Sequence, residues 1–368
     1  MPSTNSLAAA VGHLIRRYFI WTICFSYLLA GLQPQFGLWI RGLQLGGLFK
    51  TGPALPLPSL LLGLLLFNGG LGVRTAELKR IFGKPSILLA GMLGNLLMPL
   101  AFILAISFTL ALWHNPDEAE QVLVGLALIA SMPIAGASTA WAQNADGNLA
   151  LSLGLVLLTT VLSPFLTPLV LHAVGFLTTG DYSEDLHELA AGRAVSFLGA
   201  WVVLPSLLGV LSRNLVASSR MAAAAPYLKI INYCVLLLLN YSNASLTLPN
   251  MISHPDADLL AVMLVIAAAL CAAAFASGYL LARVFHADRG QTASLMFGLG
   301  MNNNGAGLVL ASMELADHPG VMLPIIFYNL IQHLAASIAD LFAFRRPPHG
   351  SACQGIDLDV PQAGNFEP

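Results

Sequence analysis

The chain has 368 residues, 57% of them hydrophobic and 9% charged, with a formal net charge of −2 and a mean hydropathy of +0.76. Soluble domains carry about 25% charged residues, so this composition excludes an ordinary soluble protein and makes the lipid bilayer its expected partner. With no basic patch in the sequence, nucleic acid is not expected as a partner. Cys24, Cys234, Cys271 and Cys353 stand apart and form no C-x-x-C, which gives neither a disulfide framework nor a thiolate metal site.

Arg16 and Arg17 precede an apolar run, and RRYFI looks like part of a twin-arginine signal. Ile15 stands where Ser or Thr is usual, however, and no A-x-A cleavage site follows. The run therefore reads as a retained first membrane helix, with residues 1–17 as a cytoplasmic N-terminal segment. A spanning helix needs about 20 mainly apolar residues. On that rule ten spans fall near 18–35, 55–73, 86–112, 121–143, 147–177, 193–212, 226–249, 258–284, 291–313 and 319–343. The Gly-rich stretch 36–53 reads as an interfacial connection, and 347–368 as a disordered cytoplasmic tail. The membrane domain then runs over 18–346.

Lys and Arg test this division independently. With the N-terminus inside, 13 of the 16 basic residues fall on the cytoplasmic side, and only Arg41, Lys50 and Arg193 fall outside. The acidic stretches Asp117–Glu120 and Asp181–Glu188 both fall outside, as loops. The positive-inside rule thus predicts ten spans in a cell (inner) membrane, with both termini cytoplasmic.

The ten spans show a weak internal echo. Asn68 closes an LLLFN run in span 2 and Asn240 closes an LLLLN run in span 7, 172 residues later. MPIAGAST in span 4 and GMNNNGAG in span 9 are separated by a similar distance. Five spans is an odd number, so the second copy (about 190–343) is inverted relative to the first (about 18–178). Inverted repeats with paired broken helices are typical of secondary transporters.

The breaks are where the chemistry concentrates. Asn302, Asn303 and Asn304 lie inside an apolar segment, flanked by Gly298, Gly300, Gly305 and Gly307. Each unpaired carboxamide facing hydrocarbon costs about 2–7 kcal/mol, and each Gly costs about 1 kcal/mol against continuous helix. Non-helical backbone at membrane depth occurs only where protein or a watery cavity satisfies it. In span 4, Pro133 cannot donate a backbone hydrogen bond, and Gly136, Ser138 and Thr139 follow as flexible joint, hydroxyl ligands and helix start. A restarted helix would direct its positive end into the midplane, where it favours an anion. The alternative for both spans is a polar packing seam between helices.

Several segments are similar to the bile acid/sodium symporter family. The run from Met132 to Pro168 resembles that family's span 4–5 signature at Ala137, Ser138, Gly147, Asn148, Ala150, Leu151, Ser152, Ser163, Pro164, Thr167 and Pro168. The span 9 run resembles its second signature at Gly300, Met301, Asn303 and Gly305, and the segment from Leu64 to Pro99 has the look of its spans 2–3. The resemblance implies an all-α fold of ten helices in two inverted five-helix repeats, with spans 4 and 9 broken and crossing beside sodium sites. It also implies a panel of spans 1, 2, 6 and 7 facing a core of the others, with an organic anion between.

The departures fall on the sodium ligands. The family's span 9 Glu falls at Gly298, its span 4 Asn at Thr139, its span 5 Thr at Val156, and its span 3 Gln at Gly94, beside Asn95. The span 9 Gln becomes Asn302, and Ser138 and Ser152 are kept. A reduced sodium site of Ser138, Thr139, Ser152, Gly298, Met301 and Asn302 is what the resemblance leaves. The family's span 10 His-Asn pair appears as Gln332-His333.

No nucleophile with its base, paired carboxylates or metal cluster lies within the spans, so no enzyme and no resident cofactor are expected. His333 is the titratable side chain set well inside a polar helix face, with Asn329 and Gln332. It reads as a pH sensor, a substrate contact or a packing residue. Asn68, Asn240, Asn303, Asn304, Gln332 and His333 form the expected substrate-binding set, with polar packing as the alternative for the asparagines. N-x-S sequons at Asn240 and Asn243 lie within a span and read as accidental. The expected function is symporter-like, alternating-access transport of a small organic anion, with sodium coupling weakened or lost and a homodimer as a candidate assembly. The competing readings are an uncoupled facilitator and a membrane solute sensor with a transporter-like fold.

Overall fold

The computed structural model describes residues 4–44, 55–73 and 85–344, and among these every regular element is helical. Helix α1 (Thr4–Leu32) departs from helical torsions at Tyr18. It then turns by 90° into α2 (Gln35–Gly42). The turn falls at Pro34, whose ring disfavours a continuing helix. Helix α9 (Ser218–Ala244) holds the bend, because the Tyr241 hydroxyl donates to the Gln33 carbonyl. Gly37 lets the two helices touch: a Cβ there would overlap the Ser245 hydroxyl.

In chain order the remaining elements are α3 (Leu57–Leu71), α4 (Pro85–Leu110), α5 (Pro116–Ser131), α6 (Ala137–Asn144), α7 (Leu149–Gly175) and α8 (Gly180–Leu215). After α9 come α10 (Leu248–Ser253), α11 (Ala257–Val284), α12 (Arg289–Gly300), α13 (Asn304–Glu314) and α14 (Pro319–Phe344). Their starts follow local rules. Asn115, Asn148 and Asp256 accept hydrogen bonds from the Asp117, Leu151 and Leu259 N–H groups. Asp288 and Gln291 close a reciprocal capping box on α12. Each such cap satisfies a backbone donor that the helix itself cannot.

Helices α4, α7, α8, α9, α11 and α14 are long and apolar enough to cross a membrane, and the bent pair α1–α2 is a seventh by the same measure. The other expected spans differ for physical reasons. Helix α3 has only 15 residues. The segments expected at 121–143 and 291–313 are each split into two half-helices, α5 with α6 and α12 with α13. Large apolar side chains such as Trp21, Phe108, Phe165 and Leu211 point outward from these helices, as a multi-pass membrane protein requires.

Two expectations need correction. Neither acidic stretch is a loop: Asp117–Glu120 opens α5, and Asp181–Glu188 forms the first turns of α8, which begins 13 residues before the expected start at 193. No proline interrupts it until Pro205, and wide π-helical turns at Leu189–Arg193 and Leu198–Val203 absorb the irregularity. Within 36–53, the first part is the helix α2, while residues 45–54 lie outside the described set, as do the expected tail and the basic cluster at 74–84.

The helices sort into two packed groups. One comprises α1, α2, α3, α9 and the second half of α8, and the other comprises α4 to α7, α11, α12 and α14. Helix α13 touches both, through α3 and α9 on one side and α5 and α14 on the other.

Candidate functional site

The two helix breaks meet. Residues 132–136 and 301–303 lie antiparallel, with Ile134 and Asn302 as paired residues. The Ala135 N–H donates to the Met301 carbonyl at 2.9 Å, and the Asn303 N–H donates to the Pro133 carbonyl at 2.9 Å. Each unwound segment thereby satisfies part of the other's backbone, which removes much of the cost of leaving the helix at membrane depth.

Side chains supply most of what remains. In a continuous helix the carbonyls of Ile129 and Ser131 would accept from residues 133 and 135. Here Pro133 has no N–H, and Asn302 Nδ2 reaches Ile129 O at 2.9 Å while Thr167 Oγ1 reaches Ser131 O at 2.6 Å. The Ile134 N–H donates to Thr159 Oγ1 at 3.1 Å. The Asn302 N–H donates to Gln332 Oε1 at 3.1 Å, Gln332 Nε2 to Asn329 Oδ1 at 3.2 Å, and Asn329 Nδ2 to the Tyr27 hydroxyl at 2.7 Å. A polar chain thus runs from the crossing through α14 to α1.

Not everything is satisfied. Ser138 Oγ, Asn302 Oδ1 and both polar side-chain atoms of Asn304 are buried without a hydrogen-bond partner. These residues are 0–1% exposed. Buried polar atoms normally find partners, and exceptions call for an explanation. Of the five polar residues singled out around the breaks, Ser138, Asn302 and Asn304 therefore keep buried unpartnered atoms, whereas the Thr139 hydroxyl and the Asn303 side-chain oxygen are engaged. The Asn303 side chain accepts from the Ala306 N–H at 3.2 Å and caps α13.

The expected sodium residues are only partly assembled. Ser152 Oγ donates to Thr139 Oγ1 at 3.1 Å, and the Met301 carbonyl is already engaged by Ala135. A Cβ on Gly298 would lie 3.2 Å from Leu155 Cδ1 and 3.9 Å from Ile134 Cδ1. Both belong to an apolar cluster with Ile87, Leu88, Leu151, Leu295 and Leu299, against which Val156 packs. A Cβ on Gly94 would meet Leu281 and Leu299. A side chain grown from Gly298 would therefore first meet hydrocarbon rather than oxygen.

The expected substrate residues fall into separate places. Asn68 Nδ2 donates to Asn232 Oδ1 at 2.9 Å between α3 and α9. Asn240 is 1% exposed with Nδ2 unpartnered, and burial of Asn240 and Asn243 makes their sequons inert. His333 packs edge-on against Phe19, 5.0 Å between ring centroids, with Nδ1 unpartnered. Gln332 serves the crossing directly.

Residues that sequence reading passed over also gather here. Arg41 on α2 donates to the Ser312 carbonyl at 2.6 Å and to Asn243 Oδ1 at 3.5 Å. Ser312 Oγ donates to the same Asn243 oxygen at 3.2 Å. Asn243 Nδ2, one helical turn from Asn240 Nδ2, is buried and unpartnered. No carboxylate pairs with Arg41 among the described residues. A cavity of about 790 Å³ lies between α8 and the end of α13, lined by Phe197, Trp201, Met313, Glu188, Arg193 and Glu314 among others. Arg193 spans it, 3.0 Å from Glu188 and 3.7 Å from Glu314. The signals that the sequence holds for them are the proline at position 34 and the isolated Arg41 and Arg193.

The model of the sodium bile acid symporter family matches residues 59–254, from α3 to the end of α10. The chain is 26% identical over 277 residues to Uncharacterized protein YbaS of Bacillus subtilis (strain 168), covering 74% of this chain and 84% of that protein. It is 24% identical over 333 residues to Uncharacterized sodium-dependent transporter YocS of the same organism, covering 89% and 91%. The family match spans more than half of the chain and includes the first helix break, and on that basis this protein belongs to the sodium bile acid symporter family.

Proposed function

We propose that the protein is a secondary transporter that moves a small organic anion by alternating access, with sodium coupling weak or absent. Ten crossings in two inverted five-helix repeats, both termini cytoplasmic, complete the proposal. The observation that carries it is the antiparallel pairing of the two helix breaks around unsatisfied Ser138, Asn302 and Asn304. Transporters build their binding sites from such discontinuous helices.

Arg41 supports the choice of an anion. Arg41 is half-buried, no carboxylate pairs with it among the described residues, and its acceptors are the neutral Ser312 carbonyl and Asn243 Oδ1, while the amide nitrogens of Asn240 and Asn243 have no acceptor. Planar guanidinium groups match carboxylate and sulfonate oxygens. Arg41 also ties α2 to α13 through Ser312, so an anion that competes for the guanidinium would loosen the hold of the first packed group on α13, the helix that touches both groups. The differential contact is what a ligand needs to shift a conformational equilibrium.

The apolar packing around Gly298 supports weak coupling. One relative carries the name of a sodium-dependent transporter, yet in this chain the family's carboxylate position is Gly298, where a Cβ would meet Leu155 and Ile134. The same observation favours uncoupled facilitation as the second reading.

The test is a thermal-shift screen of purified protein against carboxylates, steroid acids and sulfonates, each beside its neutral amide or alcohol analogue. A ligand at 100 times its Kd stabilises the folded state by about 2.7 kcal/mol. Anions should stabilise and neutral analogues should not, and Arg41→Gln should lower anion affinity tenfold or more. Equal stabilisation by both classes would contradict the anion reading.

A further inference from the structure

Away from the crossing, the connection between α7 and α8 brings two histidines into contact. His172 lies in the last turn of α7, and His187 lies near the start of α8. Their Nδ1 atoms are 2.8 Å apart, and the rings meet at 65° with centroids 4.4 Å apart. Among the described residues neither ring makes another hydrogen bond or pairs with a carboxylate.

The surroundings hold this pair in place. Gly175, the last residue of α7, makes room for the His187 ring: a Cβ there would lie 2.8 Å from its Cε1 and 3.0 Å from both of its nitrogens. The Gly175 carbonyl accepts from the Thr178 hydroxyl at 3.2 Å and from the Ser183 hydroxyl at 2.7 Å, which fixes the start of α8 against the end of α7. Phe176 packs in a T-shaped arrangement with both imidazoles, at 4.9 Å and 5.1 Å between centroids.

A neutral imidazole carries one N–H and one lone pair. A hydrogen bond between the two Nδ1 atoms uses one of each. Moving the donor ring's proton to its Nε2 leaves two Nδ1 lone pairs directed into the same small space. Nitrogens bound to one zinc ion at 2.0–2.1 Å stand about 3 Å apart when they are neighbours in its shell, so the pair need open by only a few tenths of an ångström. Imidazole suits zinc, copper and nickel and does not suit magnesium or calcium. Asp181 and Glu184, exposed on the same helix, add a field that attracts cations. No third His, Cys, Asp or Glu completes the group among the described residues.

We propose that His172 and His187 form a binding site for a divalent transition-metal ion of the zinc, copper and nickel class, held through both Nδ1 atoms with water in the remaining positions. His172 is exposed and His187 half-buried, so an ion reaches them without rearrangement of the helices. Bound there, it ties the end of α7 to the first turns of α8. Helix α8 packs first on α7 and then, past its second π-helical turn at Leu198–Val203, on α3 in the other packed group. The ion therefore pins one end of the helix that passes between the groups. Its effect on solute movement rests on the transport reading above; the site itself does not.

The experiment uses full-length purified protein, with any affinity tag removed, titrated with zinc and with magnesium. Zinc at ten times its half-saturating concentration should raise Tm by about 2–4 °C, and magnesium should not. His172→Ala and His187→Ala should each raise the half-saturating zinc concentration roughly tenfold or more. Copper(II) electron paramagnetic resonance should show two coordinated nitrogens in the unmodified protein and fewer in each variant. Gly175→Ala keeps both ligands but drives a Cβ into the His187 ring, and it should weaken zinc binding as well. If His187→Ala fails to fold, His172→Ala, which changes an exposed residue, and the copper spectrum of the unmodified protein still decide. No zinc-specific response in the unmodified protein, or a response that survives either histidine variant unaltered, would leave only a hydrogen bond between two imidazoles and overturn the proposal. Stabilisation by organic anions that persists in that case leaves the transport reading intact; a zinc response without any anion response removes the transport reading and leaves the site.

Discussion

Gly298 offers the sharpest perturbation, because the structure predicts opposite outcomes for two substitutions at one position. In Gly298→Ala the added Cβ meets Leu155 Cδ1 at 3.2 Å and Ile134 Cδ1 at 3.9 Å. Both are the far ends of flexible side chains and can give by a few tenths of an ångström. Ala is also the better helix former by about 1 kcal/mol, so this variant should stay within about 1 kcal/mol of the parent. In Gly298→Glu a carboxylate enters the cluster of Leu151, Leu155, Leu295 and Leu299. Leaving a buried charge without a partner costs about 3–5 kcal/mol, which lowers Tm by roughly 6–20 °C. A cation that partners the carboxylate reverses part of that loss, by about 1.4 kcal/mol at ten times its Kd. The assay is thermal unfolding of both variants in sodium chloride and in choline chloride at fixed pH. A Glu variant as stable as the parent in choline would show that position 298 faces a solvated site and would refute the packing argument. Destabilisation that sodium does not relieve would show that the place of the family's ligand has been repacked beyond rescue.

Further expectations follow from the fold. Reporter fusions after Lys84, Arg220 and Arg289 should read cytoplasmic and those near Asp117 and Glu184 external; a cytoplasmic reading near Asp117 would overturn the span order. Ile134 and Asn302 form a pair whose flanking residues exchange the hydrogen bonds, a geometry with Cα atoms about 4.5 Å apart, within disulfide reach. Ile134→Cys with Asn302→Cys in a Cys-free background should therefore crosslink, and failure to do so under oxidant would contradict the crossing. His333 sits against Phe19 with Nδ1 unpartnered; if solute movement is proton-linked through it, His333→Gln should flatten the pH profile of transport. An unchanged profile assigns His333 to packing.

The breaks were legible because their causes are local. Pro133 cannot donate, and three asparagines among glycines cannot sit in hydrocarbon, so both sites of unwinding could be read from residue types. That the two breaks would cross came only from the family resemblance, and their pairing through Ile134 and Asn302 was not legible in the sequence. Asn303 illustrates the limit: a carboxamide at a helix start is as good a cap as a ligand, and here it caps α13. The start of α8 was missed because charge was taken as a mark of a loop, although nothing between Gly180 and Pro205 forbids a helix. Arg41 was set aside as an external charge, since the Gly-rich stretch around it hid the short helix α2. The hydrocarbon around Gly298 was not legible at all. It depends on Leu155 and Ile134 arriving from α7 and from the first break, a tertiary fact that no local pattern encodes.

The central claim is that an organic anion crosses without a strong sodium requirement. It is tested most directly in proteoliposomes, by uptake of an anion identified in the ligand screen, measured in sodium against an equal concentration of choline at fixed pH. Neutral hydroxyl, carboxamide and carbonyl oxygens can hold sodium in transporters, but without the carboxylate they should do so weakly. Uptake should therefore continue in choline, and any stimulation by sodium should not saturate at low millimolar concentration. Uptake that vanishes in choline and saturates at low millimolar sodium would contradict the account.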